Sequence, residues 1–401
     1  MTGNHDYVTF EPFQEYDVKL QQLRTDRVTS FWKHMCSMSK LSYKLLQLLA
    51  WSLLVLALVA VLRVERNFTL VNLLVVLATF FQAFLVLYFV HWKWYRFDLS
   101  LDAVVKYFSS GFILATGMAV VLEMLVSAIL GLISNVIILI VAITQEYAKG
   151  TSLPTTSQEA QDYAREFQRE HLPLFCFFTF LNAFVVAAFV EETCKYFGFW
   201  MVETPDLNDS SLFGRVSKES KGVGITIAMV ATALGFACCE NLLYVFVYSP
   251  PSLVNEVTTL LARSIFPIHP LAAALQSIGV CRRDLEGDCK VGLGRILFPA
   301  IMLHGSFDFL LMVMALIQSV EDEGGGGNVS SDDDNSIDDD LAKQESSHAG
   351  VQDEMPLLMA SVVIVIIGLI YYVWQADAQR IRLHELDQGG RPTGETTPLL
   401  V

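Results

Sequence analysis

The chain has 401 residues, of which 53% are apolar and only 17% are charged, against about 25% charged residues in ordinary soluble domains. This composition, with a mean hydropathy of +0.45, excludes a soluble enzyme and a disordered chain and favours a protein that crosses a membrane several times. The net charge of −15 is unevenly spread, because residues 319–355 contain 12 Asp or Glu side chains and one Lys. No basic stripe is present, so nucleic acid is not an expected partner.

Apolar runs long enough to cross a bilayer recur along the whole chain. A span needs about 20 mostly apolar residues with charges near its ends. We therefore predict an all-α, polytopic membrane protein with about eight transmembrane helices. The predicted spans are Tyr43–Leu62, Leu70–Val90, Tyr107–Ile143, Leu172–Val202, Gly222–Val247, Thr258–Val280, Leu293–Ile317 and Leu357–Trp374.

The distribution of Lys and Arg predicts the orientation of these spans. Cytosolic loops are enriched in basic residues, and the N-terminal segment is rich in them, so we predict that both termini are cytosolic. The run Tyr107–Ile143 is either one long span or a hairpin, and only the single span keeps the basic loops on one side. In this topology the Asn67 and Asn328 glycosylation sequons face the lumen, whereas the Asn208 sequon faces the cytosol.

Ionisable side chains within apolar spans indicate function, because they are costly to bury. The first cluster is Glu191, Glu192 and Lys195, in which helical spacing allows Lys195 to pair with either carboxylate. The other carboxylate is then left over, and a buried carboxylate of this kind suits a general acid or base. The alternative is an interfacial Glu–Glu–Lys group at a helix end.

Two further clusters follow in later spans. Glu240 and Asn241 end the sequence Phe236-Ala-Cys-Cys-Glu-Asn, and small residues before them allow close approach of another helix. His304 and Asp308 are four residues apart, so the carboxylate can orient the imidazole and set its tautomer. The structural alternatives are a glutamate that links helices and a hydrogen-bonded core histidine.

A proline-broken segment lies between these two clusters. Pro267 and Pro270 are three residues apart and interrupt a helix, which frees backbone carbonyl groups. Arg263 and His269 flank the break. The alternative is a kinked helix with an interfacial arginine. The acids, histidines, Lys and Asn together are able to polarise a carbonyl group and activate water, which is the chemistry of peptide hydrolysis.

These motifs resemble those of the PrsW family of intramembrane proteases, which is related to the CAAX prenyl proteases. The resemblance rests on E-E-x-x-K at 191–195, F-x-x-x-E-N at 236–241, an Arg followed by a His at 263–269 and H-x-x-x-D at 304–308. It extends over roughly 107–316, where Phe108-Ser-Ser-Gly-Phe112 is also similar to the family's early helix. Four motifs in the right order and in separate spans make the resemblance specific.

The resemblance implies a helical core whose catalytic groups face a common cavity. The matching catalytic residues are Glu191, Glu192, Glu240, His269 and His304. The supporting residues are Lys195, Asn241, Arg263 and Asp308, with Asn241 or Asp308 nearest to the family's oxyanion-binding residue. The family is described as metal-dependent, and zinc, if present, would be bound by Glu191, Glu240, His269 and His304, although no H-E-x-x-H motif occurs.

The sequence thus predicts an endopeptidase that acts on membrane-protein substrates within the lipid bilayer. The alternatives are an ion- or proton-coupled transporter, for which no inverted repeat is found, and a non-catalytic relative that binds membrane helices. The predicted divisions are a cytosolic segment 1–42, two spans in 43–106, a protease core 107–318, an acidic disordered lumenal loop 319–355, a last span 356–375 and a cytosolic tail 376–401.

The tail contains a candidate sorting signal. Glu395 is followed after three residues by Leu399 and Leu400, the spacing of an acidic dileucine signal that clathrin adaptors bind. Such a signal is useful only on a cytosolic tail, which the predicted topology supplies. It predicts a multi-pass protein of a eukaryotic endosomal, lysosomal or Golgi membrane, with a clathrin adaptor as a partner.

Overall fold

The computed structural model describes residues 22–23, 26–62, 70–150, 157–207, 217–248, 253–321 and 339–389. These residues are helical with short connections, and no strand occurs among them. The three sequons and the dileucine tail lie outside the described residues. The helices are α1 Phe31–Cys36, α2 Lys40–Leu62, α3 Leu70–Thr79, α4 Phe81–Leu87, α5 Leu101–Ser109, α6 Thr116–Lys149, α7 Ser157–Glu170, α8 Leu172–Leu181, α9 Val190–Trp200, α10 Lys218–Leu243, α11 Leu253–Ser264, α12 Ile268–Asp284, α13 Leu293–Glu321 and α14 Asp339–Asp387.

Short π-helical segments follow several of these α-helices directly. They are Tyr88–Lys93 after α4, Ser110–Ala115 after α5, Asn182–Phe189 between α8 and α9, and Tyr244–Tyr248 after α10. A π-helix leaves the regular ladder of backbone hydrogen bonds, and such segments are frequent at functional sites. The segment Asn182–Phe189 ends directly before Val190-Glu191-Glu192, the start of α9.

Six helical stretches of the described chain are long and apolar enough to cross a membrane, as expected for an all-α polytopic membrane protein. They are Leu74–Lys93, Leu101–Lys149, Leu172–Trp200, Lys218–Val247, Leu293–Gln318 and Met359–Asp387. The helix from Leu101 to Lys149 is continuous, so Tyr107–Ile143 is not a hairpin. Of the other predicted spans, Tyr43–Leu62 lies within α2.

The predicted span Thr258–Val280 is not one continuous helix, because the segment forms two helices, α11 and α12, and the break that the sequence predicted at the prolines is present. The chain leaves helical geometry between Ser264 and Ile268. Pro267 has no backbone N–H and restricts Phe266 before it, which explains the break. Pro270 is tolerated because it lies in the first turn of α12, where the backbone N–H groups have no helical partner.

The acidic segment also differs from the prediction. Helix α14 begins at Asp339, although the sequence was expected to be disordered over 319–355. The run Leu341-Ala-Lys-Gln-Glu345 consists of strong helix formers, which outweigh the high local charge. Residues 322–338 lie outside the described part of the chain.

The described residues belong to two compact units. The first consists of Met1–Ala119, Glu192–Ala300 and Ile370–Val401, and the second of Val120–Glu191 and Ile301–Leu369. Helix α10 forms the centre of the first unit. A Cβ atom at Gly235 would collide with the carbonyl group of Phe108, and one at Gly111 with that of Thr232. Glycine at both positions therefore lets two helix backbones cross in direct contact.

In the second unit, α13 packs against the π-helical segment Asn182–Phe189. A Cβ atom at Gly305 would lie 2.6 Å from the ring of Phe184, so only glycine fits beside this ring. The rings of Phe180 and Phe309 meet edge to face, with their centroids 5.8 Å apart. This packing fixes the position of His304, the residue before Gly305.

Candidate active site

Helix α9 carries two adjacent glutamates whose partners differ. The carboxylate of Glu192 accepts a hydrogen bond from Nζ of Lys195 at 2.7 Å on Oε1 and another from Nε2 of Gln276 at 2.6 Å on Oε2. Both Glu192 and Lys195 are completely buried or nearly so. Of the two pairings that the sequence allowed, the structure contains the one between Glu192 and Lys195.

Lys195 connects this pair to a histidine. Its Nζ lies 2.7 Å from Nδ1 of His269 and 4.4 Å from the centroid of the Phe236 ring. The aromatic face attracts the ammonium group and shields it from other solvation. His269 is in the first turn of α12, immediately after the break at Pro267, so the proline break places this imidazole at the start of a new helix.

The other ring nitrogen of His269 faces Glu240. Nε2 of His269 lies 3.0 Å from Oε2 of Glu240, and Nη2 of Arg263 lies 2.5 Å from its Oε1. The Nε of Arg263 also donates to Oδ1 of Asn241 at 3.1 Å, and its guanidinium lies 3.8 Å from the centroid of the Tyr244 ring. The carboxylate of Glu240 is therefore paired with the charge of Arg263 on one oxygen and lies beside the imidazole of His269 on the other.

The first unit thus contains one continuous polar network. The order of contacts is Gln276, Glu192, Lys195, His269, Glu240, Arg263 and Asn241. It pairs two carboxylates with two cations, which limits the cost of burying charge in an apolar surrounding. Each residue that the sequence predicted in this unit belongs to the network.

Gln276 was missed at the sequence level. It lies seven residues, or two helical turns, after His269, and is fully buried. A glutamine on the same helix face as a candidate histidine, within an otherwise apolar run, was the signal that could have indicated it.

The second unit contains the remaining predicted residues, Glu191, His304 and Asp308. Nε2 of His304 lies 3.1 Å from Oδ2 of Asp308 and 3.8 Å from Oε2 of Glu191. The predicted contact between His304 and Asp308 is present. Both carboxylates therefore lie on the same side of the imidazole, near its Nε2 atom. Glu191 and His304 are buried, whereas Asp308 is more accessible.

A cavity of about 520 Å³ lies elsewhere in the second unit. Its lining comes from α6, from α8 with the π-helical segment, and from α13, and is made up of Ser127, Leu130, Gly131, Ser134, Phe175, Phe178, Thr179, Asn182, Met312, Ala315 and Leu316. The amide of Asn182 donates to Sδ of Met312 at 3.8 Å. A thioether is a weak acceptor, so this contact uses little of the amide's capacity.

The fold and these residues define a class, a multi-pass helical membrane protein with ionisable groups buried inside its spans. The family model described as "PrsW family intramembrane metalloprotease" matches residues 99–322, which include every candidate catalytic residue. The chain belongs to the PrsW family. The sequence-level resemblance is therefore confirmed.

A curated relative is similar over a shorter region. Protease PrsW of Clostridioides difficile (strain 630) is 33% identical over 135 residues, which are 33% of this chain and 52% of the relative. The chain thus spans about half the length of the curated relative that it matches. No solved structure is significantly similar to this chain.

Proposed function

We propose that this protein is an intramembrane protease that hydrolyses peptide bonds in or near the membrane segments of other proteins. Besides the family membership, one observation supports this most directly: the two adjacent glutamates have different surroundings. Glu192 is held by Lys195 and Gln276, whereas Glu191 faces His304. A motif that served only to pair charges would need one glutamate for one lysine.

In this proposal Glu191 is the general base. It takes a proton from water as the water oxygen attacks the peptide carbonyl carbon, and the proton then passes to the leaving amine as the C–N bond breaks. His304, oriented by Asp308, holds the water. Arg263 supplies positive charge and N–H donors for the oxyanion, and Glu240 positions both Arg263 and His269.

Glu191 and Glu192 are adjacent in the sequence and belong to the same E-E-x-x-K motif. We propose that Glu191, Glu192, Glu240, His269 and His304 act together. Glu192 then serves as a fixed anion that positions the start of α9, with Lys195 and Gln276 as its supports. Asn241 supports Arg263 through its side-chain oxygen.

The family description implies a metal ion, and the residues present fit one. Oε2 of Glu191 and Nε2 of His304 are 3.8 Å apart, which is less than twice a zinc–ligand bond of about 2.1 Å. We propose that zinc would be held by Glu191, His304 and His269, with Glu240 as the fourth candidate. When bound, such an ion would lower the pKa of a coordinated water to about 7.

We propose that a substrate segment binds in the cavity lined by Asn182. The side-chain amide of Asn182 is exposed within a membrane span, where a polar group needs a partner. A substrate strand unwound for cleavage would offer free backbone carbonyl groups to this amide. Met312, which lines the cavity, lies one helical turn after Asp308 on α13.

We also propose an endosomal, lysosomal or Golgi location, with a clathrin adaptor bound to the tail. This rests on the spacing of Glu395, Leu399 and Leu400 and on the cytosolic tail of the predicted topology.

The proposed activity is tested with purified protein in proteoliposomes and a panel of single-span membrane peptides. The wild type is expected to cleave at least one peptide, and Glu191→Gln to lower that cleavage by about 100-fold or more. Substrate-independent proton or ion flux through the wild-type protein would favour the transporter. Binding of the peptides without any cleavage would favour the non-catalytic relative.

A further inference from the structure

His269 lies between a cation and an anion, one at each ring nitrogen. Nζ of Lys195 is 2.7 Å from Nδ1, and Oε2 of Glu240 is 3.0 Å from Nε2. The ring of Phe236 closes another side, with its centroid 5.7 Å from that of the imidazole. Both ring nitrogens therefore already have a polar neighbour, and this limits what else His269 can bind.

The chemistry of these groups assigns the proton on the imidazole. A lysine ammonium group only donates hydrogen bonds, so Nδ1 must accept from Lys195. A neutral imidazole has one nitrogen lone pair available for accepting and one N–H. The lone pair is thus used by Lys195, and the N–H lies on Nε2, the nitrogen that is 3.0 Å from Oε2 of Glu240.

A metal ion needs the same lone pair. If the ion were bound at Nδ1, it would occupy the place of Nζ. If it were bound at Nε2, the imidazole proton would move to Nδ1 and point at the ammonium protons of Lys195. Either way the contact between Lys195 and His269 cannot persist.

We propose that Lys195 and a metal ion compete for His269, so that Lys195 keeps this histidine in a metal-free arrangement until it withdraws. The inference rests on the proposed function in one respect, that the metal of the family binds at His269. It adds a role for the lysine of the E-E-x-x-K motif. Lys195 then controls whether the site can be loaded.

Lys195 is able to leave His269 without becoming an isolated buried charge. Its ammonium group also pairs with Oε1 of Glu192 at 2.7 Å and lies over the Phe236 ring. Glu192 is in turn fixed by Gln276. These partners remain when the His269 contact is lost, so the withdrawal costs one hydrogen bond and not the burial of an unpaired charge.

The test is a titration of the purified full-length protein with zinc alone, in detergent, followed by calorimetry. Lys195→Met is expected to bind zinc about 10-fold more tightly than the wild type, equivalent to about 1.4 kcal/mol. Lys195→Gln is the second variant, because glutamine can still donate to Glu192 and can accept from an Nδ1–H group. The same increase is expected for it.

The matched control is Lys221→Met, which removes a similarly buried ammonium group from α10. Lys221 lies 19 residues before Glu240, about 28 Å along the helix axis. The zinc affinity of the Lys221→Met protein is expected to equal that of the wild type. An equal increase in this control would overturn the proposal, because it would indicate a general effect of net charge.

A second pair of variants, made in a protein that lacks His269, distinguishes competition for the imidazole lone pair from simple electrostatic repulsion between the lysine and the zinc ion. In His269→Gln, adding Lys195→Met is expected to leave the zinc affinity unchanged. A 10-fold increase that persisted without His269 would overturn the proposal. Nitrogen NMR of the wild-type imidazole is expected to show an accepting Nδ1 before zinc is added and loss of that hydrogen bond afterwards.

Cleavage of a model peptide, measured in the same samples, separates this inference from the proposed function. Unchanged zinc affinity in both Lys195 variants, with proteolysis that depends on Glu191, would overturn the competition and leave the protease proposal standing. Tighter zinc binding by both variants, without proteolysis by any of the proteins, would support the competition and contradict the proposed function.

Discussion

Glu192 and Lys195 form a buried ion pair, with Nζ 2.7 Å from Oε1 and side-chain exposures of 0% and 2%. The pair uses the i, i+3 spacing on α9. Since Gln276 donates to the other oxygen of Glu192, both carboxylate oxygens have a donor. This arrangement separates the structural glutamate from the one that we propose as the base.

The two glutamates are therefore expected to differ when each is replaced. Glu191→Gln should retain the wild-type melting temperature and lose about 100-fold or more in cleavage rate, because it removes the proposed base. Glu192→Gln should lower stability by about 3 kcal/mol, because it leaves the ammonium of Lys195 without its carboxylate in a buried place. Thermal unfolding in detergent and cleavage of a model peptide measure the two effects.

Restoring charge balance provides the control for Glu192. The double variant Glu192→Gln, Lys195→Met removes both charges and should recover part of the lost stability. If Glu192→Gln were as stable as the wild type while Glu191→Gln unfolded, the two assignments would have to be exchanged.

Asn182 is expected to affect substrate binding more than chemistry. Asn182→Leu should raise KM about 5-fold or more with a smaller change in kcat, because it removes one hydrogen bond from the bound segment and not from the reacting groups. Steady-state cleavage of a single-span peptide gives both constants. Thr179→Val is the matched control, because its hydroxyl group already donates to the carbonyl oxygen of Phe175. A fall in kcat alone would contradict this prediction.

Asp387 joins the end of α14 to the start of α10. Its carboxylate accepts from the backbone N–H groups of Lys218 at 2.8 Å and Glu219 at 3.1 Å, in the first turn of α10. Asp387→Ala should lower the free energy of unfolding by about 1 kcal/mol, because two helix N–H groups lose their capping acceptor. Denaturation in detergent measures this, with Glu385→Ala as the control on the same helix. Equal stability of both variants would mean that water replaces the cap.

The topology is expected to place residues 319–355 in the lumen and the C-terminus in the cytosol. Asn328→Gln should remove a glycan and increase gel mobility when the protein is expressed in a glycosylating host, because the wild-type sequon then faces the lumen. Asn208→Gln should change nothing. A glycan on Asn208, or a C-terminal tag that is protected inside the lumen, would invert the predicted orientation.

The dileucine is expected to determine the location of the protein. The double replacement Leu399→Ala, Leu400→Ala should move it from internal membranes to the plasma membrane, because the adaptor-binding side chains are lost. Quantitative surface labelling measures the change. Pro398→Ala, which leaves both leucines in place, is the control. An unchanged surface fraction in the double variant would show that the tail does not carry a sorting signal.

The sequence by itself determined the membrane character, the all-α class and the family. Apolar runs of membrane-spanning length require helices, because a helix satisfies its backbone hydrogen bonds within one segment. The four motifs and their order indicated the family without any knowledge of contacts. The break at Pro267 was also predictable, because proline lacks the N–H that a helix interior needs. The division of Thr258–Val280 into the helices α11 and α12 follows from this break.

The tertiary structure decided which polar groups meet. Both glutamates are within helical reach of Lys195, so the local spacing left the choice of partner open. In the structure Lys195 pairs with Glu192, which also accepts a hydrogen bond from Gln276 on α12. Glu240 has no basic neighbour in the sequence. Its partners Arg263 and His269 lie on the two following helices, α11 and α12. Helical periodicity fixes contacts within about one turn, whereas contacts between helices depend on how whole faces pack, and that information is spread over many residues.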